Sequence, residues 1–156
     1  MAVFFGNHTM KIDGKGRVSM PAAFRDVLTK SGPAEAVLMP TEGSAVIEGC
    51  DRAYVDELVG RAYTPGLLPE PARERIMLML GEMVTLSVDP EGRFVFPAAL
   101  RGHAAIEDTA VFVGQGRTFQ IWNAAKFSEA REQTKAKLGG EKLSLTSLFF
   151  LGEGQK

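Results

Sequence analysis

Apolar residues alternate along two separate stretches of the chain. Met10 and Ile12, then Val18 and Met20, fall on one side of an extended backbone. Leu86 and Val88, then Phe94 and Phe96, repeat the pattern. A period of two on both sides of a short polar turn predicts strand–turn–strand. The turns are Asp13-Gly14-Lys15-Gly16 and Asp89-Pro90-Glu91-Gly92. Glycine and Asp-Pro pairs supply the backbone angles such bends need. The period then changes. Pro21 and Pro97 suit a first helical position, where the missing N–H is not needed. Phe24, Val27 and Leu28 form an i, i+3, i+4 stripe. Leu100, His103 and Ala104 hold the equivalent places, so His103 is expected on the buried side. The helices should end near Ser31-Gly32-Pro33 and Glu107-Asp108.

A second strand pair closes each stretch. Ala36–Leu38 and Ala45–Ile47 flank a turn at Pro40-Thr41-Glu42-Gly43. Ala110–Val113 and Thr118–Trp122 flank Gly114-Gln115-Gly116. The order β-β-α-β-β therefore occurs twice. Residues recur as well as periods: Asp13, Gly16, Arg17, Pro21, Ala22, Ala23 and Arg25 return as Asp89, Gly92, Arg93, Pro97, Ala98, Ala99 and Arg101. A four-stranded unit with one helix leaves strand edges exposed. Two copies that interlock would cover each other's edges. Between them, Tyr54, Leu58 and Ala62 predict a helix ending at Thr64-Pro65-Gly66. Pro69-Glu70-Pro71 opens another, with Ile76, Met77 and Leu80 on one side and a solvated face around Arg73 and Arg75. A charge-rich helix is expected over Ala125–Leu138. Beyond it, Leu143, Leu145, Leu148, Phe149, Phe150 and Leu151 suggest a tail partly docked on a neighbour, with a mobile Gly-Glu-Gly-Gln end.

Composition narrows the function classes. The chain has 156 residues, 45% of them hydrophobic, enough for a packed core. Its 18 basic and 19 acidic residues give a net charge of −1, which argues against a uniformly basic coat for nucleic acid but leaves room for a local patch. The single cysteine, Cys50, allows no intrachain disulfide and reads as a reduced thiol. The opening residues lack a basic start and a long apolar run, so no signal peptide is expected. The longest apolar run, Ile76 to Leu80, is too short for a membrane span. Two histidines and one cysteine give no metal-ligand spacing, and no cofactor is expected. Gly14-Lys15-Gly16-Arg17 sits between strands, unlike a phosphate-binding loop that precedes a helix. No nucleophile–base pair emerges either, so the chain is not read as an enzyme and no small-molecule substrate is expected.

What remains is the repeated Asp-x-x-x-Arg. If the strands pair, Asp13 and Arg17 flank the turn on the face opposite the apolar residues. One reading is a turn-stabilising surface ion pair worth about 0–1 kcal/mol. The other is that Asp13 aims Arg17, with Lys15, at a polyanion. The stretch from Lys11 to Arg25 sets four cations against one carboxylate, a formal charge of +3. In the second copy Arg93 and Arg101 are cancelled by Asp89 and Glu91.

Three segments carry a family resemblance: "HTMKIDGKGRVSMPAAFR", "SVDPEGRFVFPAALR" and "VFVGQGRTFQIW". With them the chain, from Phe5 to about Phe127, resembles the MraZ family of bacterial regulators of the division and cell-wall gene cluster. The resemblance implies an α+β fold of two SpoVT/AbrB-like units exchanging hairpins in one intrachain pseudo-dimeric barrel with flanking helices. It implies repeat 1 over 7–54, a helical linker over 55–82, repeat 2 over 83–126, and a C-terminal helix and tail over 127–156. The implied function is a sequence-specific repressor of its own operon, in the cytoplasm and nucleoid. It would bind direct repeats in double-stranded promoter DNA as a ring-shaped homo-oligomer. By motif, Lys15, Arg17 and Arg93 are the DNA contacts. Asp13 and Asp89, with Gly16 and Gly92, support them. Arg25 and Arg101, on the helices past the turns, read as structural. Glu91, standing where the first turn has Lys15, sets the second turn's phosphate contact in question. The alternative from another class is a ring-forming protein-interaction scaffold without specific DNA binding.

Overall fold

The computed structural model describes residues 3–30, 32–139 and 143–148. The first copy holds β1 (Asn7–Lys11), β2 (Arg17–Ser19), α1 (Ala22–Lys30), β3 (Glu35–Pro40) and β4 (Val46–Cys50). Two helices follow, α2 (Arg52–Tyr63) and α3 (Glu70–Glu82). The second copy holds β5 (Val84–Ser87), β6 (Arg93–Val95), α4 (Ala98–His103), β7 (Thr109–Gly114) and β8 (Phe119–Asn123). Then come α5 (Ala124–Lys137) and the short α6 (Leu145–Leu148). Two compact units result, 1–124 and 125–156.

The α+β class and the element order follow the periodicity. The helices start one residue later than expected, after the prolines: α1 begins at Ala22, and Pro97 is the N-cap of α4. Helix ends placed by pattern alone vary by a residue or two. Asp51 caps α2, its carboxylate accepting from the Tyr54 N–H at 2.9 Å, which satisfies one of the free donors of the first turn.

Strand pairing crosses between the copies. One six-stranded sheet runs β1-β7-β8-β4-β3-β5, and a two-stranded ribbon joins β2 to β6, all antiparallel. Only β3–β4 and β7–β8 pair within a copy. The first strand of each copy lies instead on the third strand of the other, as β1 on β7 and β5 on β3. The strands flanking each Asp-x-x-x-Arg turn are thus not a paired hairpin, as the sequence had suggested. Each turn is closed by its own bonds, and its two strands part to different partners. Among the described residues the sheet order ends on β1 and β5, the first strands of the two copies.

One core serves both copies. Phe24 of α1 meets Phe4 edge to face (5.2 Å between ring centroids) and Phe119 of β8 at a tilt (5.3 Å). Phe94 of β6 meets Phe112 of β7 at 6.3 Å. Val18, Met20, Leu28, Leu38, Ile47, Phe96, Leu100 and Ile121 fill the remaining space. Mixed aromatic and aliphatic packing of this kind makes neither copy's core complete alone.

Two sequence expectations are corrected. His103 is exposed, whereas Leu100 and Ala104 are buried. The inward stripe is narrow: Leu100 and the C-cap Ala104 fill it, and His103, the last residue of α4, falls to one side. Arg73 is not part of a simply solvated face. Its Nε donates to the Ala62 carbonyl at 3.1 Å and its guanidinium lies 5.5 Å over the Tyr63 ring, tying α3 to α2. In the second unit, α5 is charge-rich with no buried residue, and Leu143 and Leu145 are exposed. The expected tail docking rested on these two leucines together with Leu148, Phe149, Phe150 and Leu151; the Leu148 side chain, the residues after it and the Gly-Glu-Gly-Gln end lie outside the described residues. Among the described residues no helix is long and apolar enough to cross a membrane.

Candidate nucleic-acid interface

Each turn is organised by its aspartate. Asp13 Oδ1 accepts from the N–H groups of Lys15 and Arg17, both at 2.9 Å. Its Oδ2 accepts from Arg17 Nε at 2.7 Å. The backbone closes beneath: Gly16 N–H donates to the Asp13 carbonyl at 3.0 Å, and Asp13 N–H to the Arg17 carbonyl at 3.0 Å. Gly16 takes φ +80°, a region that penalises a Cβ. One carboxylate therefore fixes both the bend and the direction of the arginine. These donors stabilise the ionised form, the Arg17 N–H most of all, and hold Asp13 down at about 2.

The second turn keeps the frame and changes the charge. Asp89 Oδ1 accepts from the N–H groups of Glu91 and Arg93, both at 2.9 Å, and Gly92 takes φ +85°. The Arg93 N–H is the main cause of a lowered Asp89 pKa. Arg93 Nε stands 3.4 Å from Asp89, looser than in the first turn, while its Nη2 lies 2.7 Å from Glu91. Arg93 is thus shared between two carboxylates. The Lys15 ammonium has no partner among the described residues.

The ribbon brings the turns together. In its register Arg17 faces Val95, Val18 faces Phe94, and Ser19 faces Arg93. Val18 and Phe94 point into the core, so Arg17, Ser19, Arg93 and Val95 share the outward face. The two turns are bound to the opposite strands: Met20 N–H donates to the Gly92 carbonyl, and Phe96 N–H to that of Gly16, each at 2.8 Å. Every site residue expected from the sequence lies on this ribbon or its turns.

The trailing arginines lie beneath the turns, each under the other copy's. A Cβ built on Gly92 would overlap the Arg25 guanidinium. One built on Gly16 would stand 3.3 Å from Arg101 Nη2. Arg101 Nε donates to the Phe96 carbonyl at 3.2 Å, whereas the buried Arg25 Nε has no hydrogen-bond partner among the described residues. The sequence showed these arginines at a fixed spacing after each glycine, but not which glycine each would meet. Val95, 61% exposed on the outward face, was passed over. Its signal was an outward strand position filled by a β-branched apolar residue. Among the described residues no group of three His, Cys, Asp or Glu side chains could hold a metal ion.

This geometry defines a duplicated α+β protein that presents two aspartate-oriented arginines on one ribbon. A family model described as "MraZ protein, putative antitoxin-like" matches residues 79–142. The chain is 42% identical to the transcriptional regulator MraZ of Rhodospirillum rubrum over 135 residues, 84% of this chain and 86% of that one. It is 33% identical to the transcriptional regulator MraZ of Pelagibacter ubique over 143 residues, 92% of each chain. With that of Rickettsia bellii it shares 37% over 118 residues, 76% of this chain and 79% of the relative. The chain belongs to the MraZ family, a family of transcriptional regulators rather than enzymes.

Proposed function

We propose that this chain is a transcriptional regulator that binds double-stranded promoter DNA through the outward face of the β2–β6 ribbon. The observation that carries the reading is an arginine at each end of a two-stranded ribbon, each held by the aspartate of its turn. A major groove admits a two-stranded ribbon, and a planar guanidinium pairs with guanine O6 and N7. Lys15 and Arg17 form the stronger contact, Lys15 on phosphate and Arg17 on a base edge. Arg93 is the weaker reader, restrained by Glu91. Asp13, Asp89, Gly16 and Gly92 position these side chains. The names of the relatives support the regulatory role.

The finer reading also follows the family resemblance. Residues 7–54 and 83–126 are two SpoVT/AbrB-like units with exchanged hairpin arms, a reading supported by β1 lying on β7 and β5 on β3. Residues 55–82 link them, and 127–156 form a C-terminal helix and tail. The chain assembles as a ring-shaped homo-oligomer and binds direct repeats upstream of its own operon. It represses that operon and the division and cell-wall genes with it, in the cytoplasm and on the nucleoid. Multiplying weak contacts by assembly makes each further contact effectively intramolecular.

The test is a gel shift of the full chain against DNA from upstream of its own gene, with an unrelated duplex of equal length as competitor. Selective retardation that weakens as salt rises supports the reading. Equal affinity for both duplexes, or none, overturns it and leaves the protein-scaffold reading.

A further inference from the structure

The outward face of the ribbon has four corners, and three are polar. Arg17, Arg93 and Ser19 carry hydrogen-bonding groups, while the fourth corner, directly opposite Arg17, is Val95. The two copies place Ser19 and Val95 at equivalent positions, each two residues after the turn arginine. A core role does not explain the valine, since the inward side of β6 is Phe94. Nor does the ladder demand it, because Ser19 serves at the matching place. The valine leaves an apolar surface beside the guanidinium that Asp13 orients.

Major-groove chemistry supplies one apolar group at base-pair level, the C5 methyl of thymine. Side chains directly opposite on one sheet face stand about 4.5–5.5 Å apart. Base pairs follow one another at about 3.4 Å. An apolar side chain beside Arg17 therefore falls one or two base-pair steps from the guanine that Arg17 reads. We propose that Val95 is a specificity-determining residue that packs on a thymine methyl one or two steps from that guanine. This assignment rests on the DNA-binding reading above and deepens it. It also breaks the approximate two-fold symmetry of the face. One diagonal end offers methyl groups beside an arginine, the other a hydroxyl beside an arginine shared with Glu91. A given base sequence then fits in one orientation better than in the reverse, which suits boxes repeated head to tail.

The experiment uses the full chain and a duplex that the wild-type protein selects from a random pool. Each thymine of that duplex is replaced singly by uracil, which removes only the C5 methyl. The expected result is one position, one or two steps from an essential guanine, where uracil weakens wild-type binding about fourfold, the worth of one buried methyl. Val95→Ala should bind the parent duplex more weakly and show no loss on the uracil substitution. Val95→Thr, which keeps one γ-methyl, should retain the methyl dependence. A selected duplex with no methyl-sensitive position overturns the assignment. So does a sensitivity that persists unchanged in Val95→Ala. A pool that yields no preferred sequence overturns the DNA-binding reading itself, and the Val95 assignment with it. Circular dichroism of each variant guards against loss of fold.

Discussion

The guanidinium of Arg25, on the helix of the first copy, occupies the space that a Cβ on Gly92 would need in the turn of the second. Two residues far apart in sequence thereby share one volume. A helix from one half supports the turn that carries an arginine of the other half. Gly92→Ala meets both this overlap and a φ of +85°. It should lose about 1–3 kcal/mol of stability. Removing Arg25 in the same chain should recover the part due to overlap, with a coupling of about 0.5–3 kcal/mol by urea unfolding of the four variants. The Gly16–Arg101 pair, where a Cβ would press on Arg101 Nη2 at 3.3 Å without overlapping it, should couple less. Strict additivity at Gly92 and Arg25 would show that the contact has no energetic meaning.

Glu91 sets the inequality of the two turns. Its carboxylate lies 2.7 Å from Arg93 and carries a negative charge toward any phosphate path. Glu91→Lys gives the second turn the character of the first. DNA affinity should rise, and the slope of log affinity against log salt should steepen by about one contact. Arg93→Ala should weaken binding less than Arg17→Ala. Titrations at several salt concentrations give both results, and an unchanged slope in Glu91→Lys would place the second turn away from phosphate.

The Asp13 turn has an acid signature. Its carboxyl is depressed from 3.8 to about 2, so it contributes stability above pH 3.8 that is lost as pH falls through about 2. Asp13→Asn should be less stable than the wild type at pH 6. The gap should close as pH drops from about 4 to about 2, where the wild-type carboxyl becomes neutral as well. Thermal unfolding of the two proteins across this range checks it. A gap that stays constant with pH would mean that the charge on Asp13 does not hold the turn.

Cys50 is buried, and burial pushes its thiol up to about 12. Thiolate is therefore scarce at neutral pH, and alkylation should need unfolding. Iodoacetamide at pH 8 should label the denatured chain and spare the native one. Rapid labelling of native protein would show that the β4 end of the sheet opens readily.

The elements were legible in the sequence because period two, proline and glycine mark them locally. Both Asp-x-x-x-Arg turns were legible for the same reason: the aspartate, the glycine and the arginine all act within five residues. The partners of the strands were not. Alternation says which face of β1 is buried, but not that β7 of the other copy lies beside it. His103 was misplaced because i, i+3, i+4 spacing does not tell how wide the buried stripe is, and here Leu100 and Ala104 fill it. Arg25 beneath Gly92 depends on a helix and a turn meeting in space, which no local pattern encodes. Val95 was visible as an apolar residue in an outward position, yet its place opposite Arg17 needed the ribbon register.

The central claim is that the Asp13-oriented Arg17 reads DNA and is not merely half of a surface ion pair. The direct measurement is a binding titration of Arg17→Ala against the upstream promoter duplex and an unrelated one. Circular dichroism and light scattering report fold and mass. The ion pair is exposed, with its two side chains 47% and 43% accessible, so its loss should leave fold and assembly intact. One bidentate arginine–guanine pair discriminates by about 1–3 kcal/mol, and in the proposed ring the loss would recur in every subunit. The preference for the promoter should collapse while fold and mass match the wild type. A folded, equally assembled Arg17→Ala protein that binds its promoter as the wild type does would contradict it.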